Sequence, residues 1–175
     1  MKTTYYVASS LDGYIAREDG DVSWLEDLGI PMEETGYDEF YSTVDALVMG
    51  RKTYDMIASF GKWPYGDKPV WICSRRKINP MEGCNLQVGK TPEEACQAAQ
   101  DLSIKHLWLV GGGSLASAFL GKSLLTDVSL SLMPIILGGG IKLFGDLSSP
   151  IKINKDNQAL NESGFIQLEY TFNNA

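Results

Sequence analysis

The chain has 175 residues, 44% of them hydrophobic and 21% charged, with a formal net charge of -7. That length and balance describe one folded domain over residues 1–175, not a fibre or a repeat array. The negative charge argues against nucleic acid or an anionic membrane as a partner.

In chain order, Thr3 to Ser9 predicts a first strand, Leu11-Asp12-Gly13 a turn, and Tyr14 to Ala16 a short apolar return. Met32 to Thr43 predicts a helix, with Glu33 and Glu34 in the first turn where the helix dipole favours acids. Asp45 to Met49 reads as a buried strand ended by Gly50, and Arg51 to Phe60 as a helix. Lys68 to Cys73 and Leu86 to Val88 are the next two strands. Thr91-Pro92-Glu93-Glu94 opens a helix to about Leu102, with Thr as cap and Pro at the first helical position. His106 to Val110 is a strand, Gly111-Gly112-Gly113 interrupts, and Ser114 to Leu120 is a helix. Leu125 to Met133 is a strand, Pro134 to Phe144 a glycine-broken loop best read as a bulge or crossover, and Gly164 to Phe172 a last strand. The alternation predicts an α/β domain with a mainly parallel sheet, closed by antiparallel strands at the C-terminal end.

Several chemistries have little material here. The cysteines, Cys73, Cys84 and Cys96, are odd in number and lack CxxC spacing. They point to a reducing, cytoplasmic compartment rather than a disulfide framework. The opening MKTTYYVASSLDGYIA lacks the apolar core of a signal peptide, and no run reaches the roughly 18 apolar residues of a membrane helix. The single histidine, His106, is read as a strand residue, so neither a metal site nor a Ser-His nucleophile is expected.

Two segments share one design, a buried strand, then glycine, then a helix: DALVM-Gly50-RKTYDMI and HLWLV-Gly111-Gly112-Gly113-SLASAFL. A helix start offers unpaired N–H groups and the positive end of the dipole, which suits a phosphate. Glycine lets a ligand approach the backbone. Two such turns point to a diphosphate-bearing cofactor. The spacing is neither GxGxxG nor a Walker A loop, which disfavours an ordinary NAD dehydrogenase and a P-loop NTPase. Arg51 and Lys52 open the first of these helices, and Ser74-Arg75-Arg76 follows the third strand. An arginine and a hydroxyl placed there favour NADPH over NADH, because charge-assisted bonds to a phosphate are worth roughly 1.5–3 kcal/mol each.

These pieces, with Ala8-Ser9-Ser10-Leu11-Asp12-Gly13, Trp24-Leu25, Met49-Gly50-Arg51-Lys52-Thr53-Tyr54, Lys90-Thr91-Pro92-Glu93-Glu94-Ala95 and Val110-Gly111-Gly112-Gly113-Ser114-Leu115, occur in one order along the chain. The ordered set resembles the dihydrofolate reductase-like superfamily, and within it the RibD C-terminal domain group of riboflavin-biosynthesis reductases. The resemblance implies the three-layer dihydrofolate reductase-like fold and NADPH as cofactor. It also implies a homodimer, to which the apolar run Leu130 to Leu137 could contribute. Ala8, Ile15 and Ala16 would line the nicotinamide. Gly50, Arg51, Lys52 and Thr53 would bind the diphosphate and adenosine end. Ser74 and Arg75 would take the 2′-phosphate with Arg51 assisting, and Gly111, Gly112, Gly113, Ser114, Leu115 and Ala116 would hold the diphosphate from the other side.

On the substrate side the candidates are Asp12, Trp24, Tyr54 and Ile57. Asp12 also reads as a turn residue, Trp24 as lid packing, and Tyr54 with Ile57 as core. Gly29 stands where dihydrofolate reductases carry an acid, and Val110 where riboflavin-pathway reductases often carry a glutamate. The stretch from Glu26 to Glu39 is acidic where a ribose phosphate would need cations. The expected activity is hydride transfer from NADPH to a small heterocyclic or ribosylamino-type substrate, as in 5-amino-6-(5-phosphoribosylamino)uracil reductase. Dihydrofolate reduction and a non-catalytic nucleotide-binding module are the alternatives.

Overall fold

A computed structural model describes residues 1–87, 89–160 and 162–172. Among them β1 (Lys2–Ser10), β3 (Ala46–Gly50), β4 (Val70–Cys73), β5 (Leu86–Gln87), β6 (His106–Gly111) and β7 (Asp127–Met133) join β9 (Ile153–Leu160) and β10 (Ile166–Phe172) in one sheet. The order is β5-β4-β3-β6-β1-β7-β10-β9. From β5 to β7 every neighbouring pair is parallel, and β10 runs antiparallel to both β7 and β9. A register shift between Glu169 and Tyr170 puts a bulge-like irregularity into the β10–β9 pair. The expected mixed sheet with antiparallel C-terminal strands is therefore present.

Side chains alternate across the strands with period two, so each strand feeds two layers. Tyr5 and Val7 of β1 and Leu107 and Leu109 of β6 meet α4 (Pro92–Asp101) and α5 (Gly113–Leu120), where Ala95, Ala99, Ala116 and Phe119 are fully buried. On the opposite face Tyr6 and Trp108 pack under α2 (Tyr37–Thr43) and α3 (Arg51–Ser59) with Leu47, Met49, Tyr54 and Ile57. A third cluster joins Trp24 of α1 (Trp24–Asp27) to Met133 and Phe165. Side chains of Leu, Phe or Met size contribute about 1.5–3 kcal/mol each when fully buried, which makes the three-layer stack the main source of stability.

Several boundaries differ from the sequence expectation. The helix read over Met32 to Thr43 is a 3-10 turn, Met32–Thr35, followed by α2, because Gly36 adopts φ +69° and breaks it. The strand β9 was not expected: its sequence INKDNQAL lacks the alternation of a half-buried strand, and it lies at the sheet edge. The loop read over Pro134 to Phe144 contains β8 (Ile141–Lys142), which pairs antiparallel with β2 (Tyr14–Ala16). Of the strand read over Leu86 to Val88, Val88 lies outside the described residues.

Candidate functional site

Because β3 and β6 are parallel neighbours with Met49 opposite Gly111, the two glycine turns abut at one rim of the sheet. A Cβ placed on Gly50 would lie 3.7 Å from the Gly111 carbonyl oxygen and 4.0 Å from Leu115 Cβ. Thr53 Oγ1 faces the turn, 3.6 Å from the positions a Cβ would take on Gly111 and Gly112, and Ile15 Cδ1 is 4.0 Å from the latter. The Gly111–Gly112 peptide is cis. Thus Ile15, Gly50, Thr53, Gly111, Gly112 and Leu115 form one surface.

The caps set these two helices apart from α4. There the Thr91 side chain accepts from Glu94 N, which satisfies one helix-start donor internally, and the Glu94 carboxylate reaches back to accept from Lys90 N just before the cap. The N-caps of α3 and α5 are Gly50 and Gly112, and neither has a side-chain cap. Their first N–H groups are left for an external acceptor, backed by the positive ends of two dipoles. A diphosphate fits that donor set.

The cationic turn leaves from the same end. β4 is parallel to β3 with Cys73 opposite Gly50, so Ser74 and Arg75 continue past the rim beside α3. Ser74 Oγ accepts from Arg76 N at 3.1 Å and donates to Arg76 O at 3.0 Å, which folds the turn on itself. Arg51 Nε donates to both oxygens of Asp55 at 2.7 and 2.8 Å, and its guanidinium also reaches Lys77 O at 3.3 Å, tying α3 to this turn. Arg75 and Lys52 are exposed, and neither side chain has a partner among the described residues.

Of the residues expected at the nicotinamide and on the substrate side, half-buried Ala8 packs against the cluster of Trp24, Met133 and Phe165. Trp24 is fully buried and its indole N–H is unpartnered. Tyr54 and Ile57 are built into the core under α3. The Tyr54 hydroxyl donates to Asn79 O at 2.9 Å and accepts from Met81 N at 2.9 Å, and burial raises its pKa. The Asp12 carboxylate accepts from Ser10 Oγ at 2.6 Å, Leu137 N at 3.1 Å and Gly138 N at 2.7 Å. The Ser10 bond foremost, then the two backbone donors, hold its pKa below the usual carboxylate range.

Sequence reasoning left the Gly138-Gly139-Gly140 segment without a role. It leads into a roof over the site. A Cβ on Gly140 would meet the Ala16 carbonyl oxygen at 2.1 Å, and one on Gly113 would meet the Lys142 carbonyl oxygen at 2.0 Å. Gly145 N donates to Gly113 O at 3.2 Å, fixing the strap after β8 to the start of α5. The signal was Gly140, where such close backbone contact excludes any side chain, whereas a Cβ on Gly138 or Gly139 would meet nothing within 4 Å. A separate open groove of about 500 Å³, lined by Gly61, Trp63, Asp67 and Glu82 among others, lies past the C-terminal end of α3 and is not part of this rim. Among the described residues no helix is long and apolar enough to cross a membrane.

Comparison with known proteins agrees with this geometry. The model of the RibD C-terminal domain family matches residues 63–160. A Shewanella sp. PV-4 protein whose name points to riboflavin biosynthesis is 32% identical, superimposes with a TM-score of 0.86, and is matched over 98% of this chain and 99% of its own. The uncharacterized protein YwjB of Bacillus subtilis (strain 168) is 29% identical over 153 residues, 87% of each chain. Dihydrofolate reductase from Enterococcus faecalis, solved with NADP(H), shares the fold at a TM-score of 0.68 and 15% identity, over 98% of this chain and 96% of that one.

Proposed function

Since the chain belongs to the RibD C-terminal domain family, within the dihydrofolate reductase-like superfamily of NADPH-dependent reductases, we propose that it is an NADPH-dependent oxidoreductase acting on a small heterocyclic or ribosylamino-type substrate. The observation that carries this reading is the pair of glycine-capped helix starts abutting at one rim, with the Ser74-Arg75 turn leaving the same end. When bound, NADPH supplies the hydride.

The chain's own groups bind and orient. Backbone N–H groups at the starts of α3 and α5 donate to the diphosphate. Ser74 Oγ and the Arg75 guanidinium receive the 2′-phosphate, and Arg51 assists by exchanging part of its pairing with Asp55. Ala8, Ile15 and Ala16 form an apolar wall that excludes water from the reacting carbon, which hydride transfer requires more than it requires a charged catalyst. The acidic stretch from Glu26 to Glu39 favours a substrate without a phosphate, and the valine at position 110 offers no polar contact where a glutamate would stand, which sets the substrate one step from that of the uracil reductase.

The test is direct. Fluorescence titration should give tight NADPH binding and weak NADH binding. NADPH oxidation should then occur with a ribosylamino-uracil and be absent with dihydrofolate. Failure to bind either nucleotide removes the reading, and binding without turnover of any heterocycle would favour the non-catalytic module. We propose that the protein self-associates in the cytoplasm: Leu130, Leu132 and Ile136 leave apolar surface uncovered, and the three cysteines are unpaired. A monomeric mass by light scattering would remove the dimer.

A further inference from the structure

The strap from Pro134 to Gly145 crosses from the end of β7 to the start of α5, and four of the hydrogen bonds that fasten it come from one short turn, residues 10 to 14. Leu11 N donates to Ile135 O at 2.8 Å, and Leu143 N donates to Gly13 O at 2.8 Å. Between these two points Asp12 spends both carboxylate oxygens on consecutive strap amides, Oδ1 on Leu137 N and Oδ2 on Gly138 N. Ser10 Oγ, which accepts from Tyr14 N at 3.0 Å, donates to Oδ1 and fixes the carboxylate's orientation. Beyond this clasp, Gly140 sits on the Ala16 carbonyl and β8 pairs with β2, with Tyr14 opposite Lys142 and Ala16 opposite Ile141. The far end is held by the Tyr5 hydroxyl, which donates to Leu143 O at 3.1 Å, and by Gly145 N on Gly113 O.

The same turn feeds β2, whose Ile15 rests against Gly112. Releasing the clasp therefore loosens two things together: the roof over the start of α5, and the apolar residues facing the glycine turn. A carboxylate engaged by three donors is also poorly suited to protonate a substrate, since each donor bond favours the ionised form.

We propose that Asp12 is a positioning residue whose carboxylate clasps the strap at Leu137–Gly138 and thereby holds Ile15 and Ala16 against the nucleotide rim, without itself transferring a proton. The structural half stands on the bonds above; the kinetic half rests on the reductase reading.

Hydrogen exchange with mass spectrometry on Asp12→Ala and Asp12→Asn separates the two halves. In Asp12→Ala, exchange in peptides spanning residues 137 to 143 should rise by about tenfold or more, as expected when charge-assisted bonds to backbone amides are lost. Asp12→Asn keeps one carbonyl acceptor and should fall between wild type and Asp12→Ala. Both variants should bind NADPH about tenfold more weakly, with kcat reduced, and the pH profile of kcat in Asp12→Asn should keep the wild-type shape. Unchanged exchange in the strap overturns the clasp, and loss of one limb of the pH profile overturns the non-proton role. If the wild-type protein binds no NADPH while Asp12→Ala still loosens the strap, the nucleotide reading fails and the clasp stands.

Discussion

The two rims of the sheet are built from the same strands yet treat their polar groups in opposite ways. At the rim where β1, β6 and β7 begin, His106 Nε2 lies 2.8 Å from Thr4 Oγ1, and the Thr4 hydroxyl donates to Asp127 at 2.9 Å. Asp127 in turn pairs with Lys2 at 3.0 Å. His106 Nδ1 is 3.1 Å from Thr43 O, and Asp45 Oδ2 accepts from the amides of Lys105 and His106, each at 2.9 Å. Groups there are consumed by one another. At the rim where the strands end, two helices start on glycines with no side-chain cap, and Arg75 stands free of partners among the described residues. Internally satisfied polar groups hold a fold together, whereas donors left open on a rigid frame are available to a ligand.

That contrast can be tested by asking each rim to behave like the other. The largest effect is expected from Gly113→Ala, whose added methyl carbon would meet the Lys142 carbonyl oxygen at 2.0 Å. Forcing that contact should cost about 3 kcal/mol in chemical denaturation and weaken NADPH binding, because the strap must lift from α5. Lowered stability with intact affinity would separate the strap from the nucleotide rim. Next comes Arg75→Ala, which should reduce the preference for NADPH over NADH by roughly tenfold or more, through loss of a charge-assisted bond. The thermal midpoint should not move, since the side chain is exposed and has no hydrogen-bond or ion-pair partner among the described residues. An unchanged preference would show that the open cation is not the 2′-phosphate anchor.

At the opposite rim the order of effects reverses. Thr4→Val removes the hydroxyl that links His106 Nε2 to Asp127 and should lower stability by about 1–3 kcal/mol, with NADPH affinity changed by less than about twofold because the rims lie at opposite ends of the strands. A larger loss of affinity would mean the rims are coupled. The smallest effect is one of pH. Burial, then the nearby Lys2 ammonium, holds the His106 pKa below its ordinary 6.5. The folded protein therefore takes up this proton less readily than the unfolded chain. Stability from this residue is complete above that ordinary value and is lost as pH falls below it toward the depressed folded pKa. Urea midpoints should decline through that window in wild type and decline less in His106→Gln.

What could be read from the residues depended on whether the information was local. The self-capped start of α4 was legible because Thr91 and Glu94 find their partners within four residues and Pro92 suits the first helical position. The glycine turns were legible as helix starts, and the family resemblance added roles. Their convergence was the premise of the diphosphate reading; what no window along the chain reports is the long-range pairing that produces it, β6 inserting between β3 and β1. Asp12 looked like an ordinary turn residue or a substrate contact because only Ser10 among its partners is local, the two strap amides lying 125 and 126 positions away. The Tyr54 hydroxyl likewise found its partners at Asn79 and Met81, beyond β4. β9 escaped notice because an edge strand with few apolar residues has no amphipathic signature to offer.

The two ends of the sheet carry a consequence of their own. One is closed by β5, two residues long among the described residues, and the other by β9, whose partner slips register between Glu169 and Tyr170. A foreign strand seeking to extend either side finds too few free amides at the first and a kinked ladder at the second. Growth of the sheet into fibrils is thereby discouraged at both margins, whatever ligand occupies the rim between them.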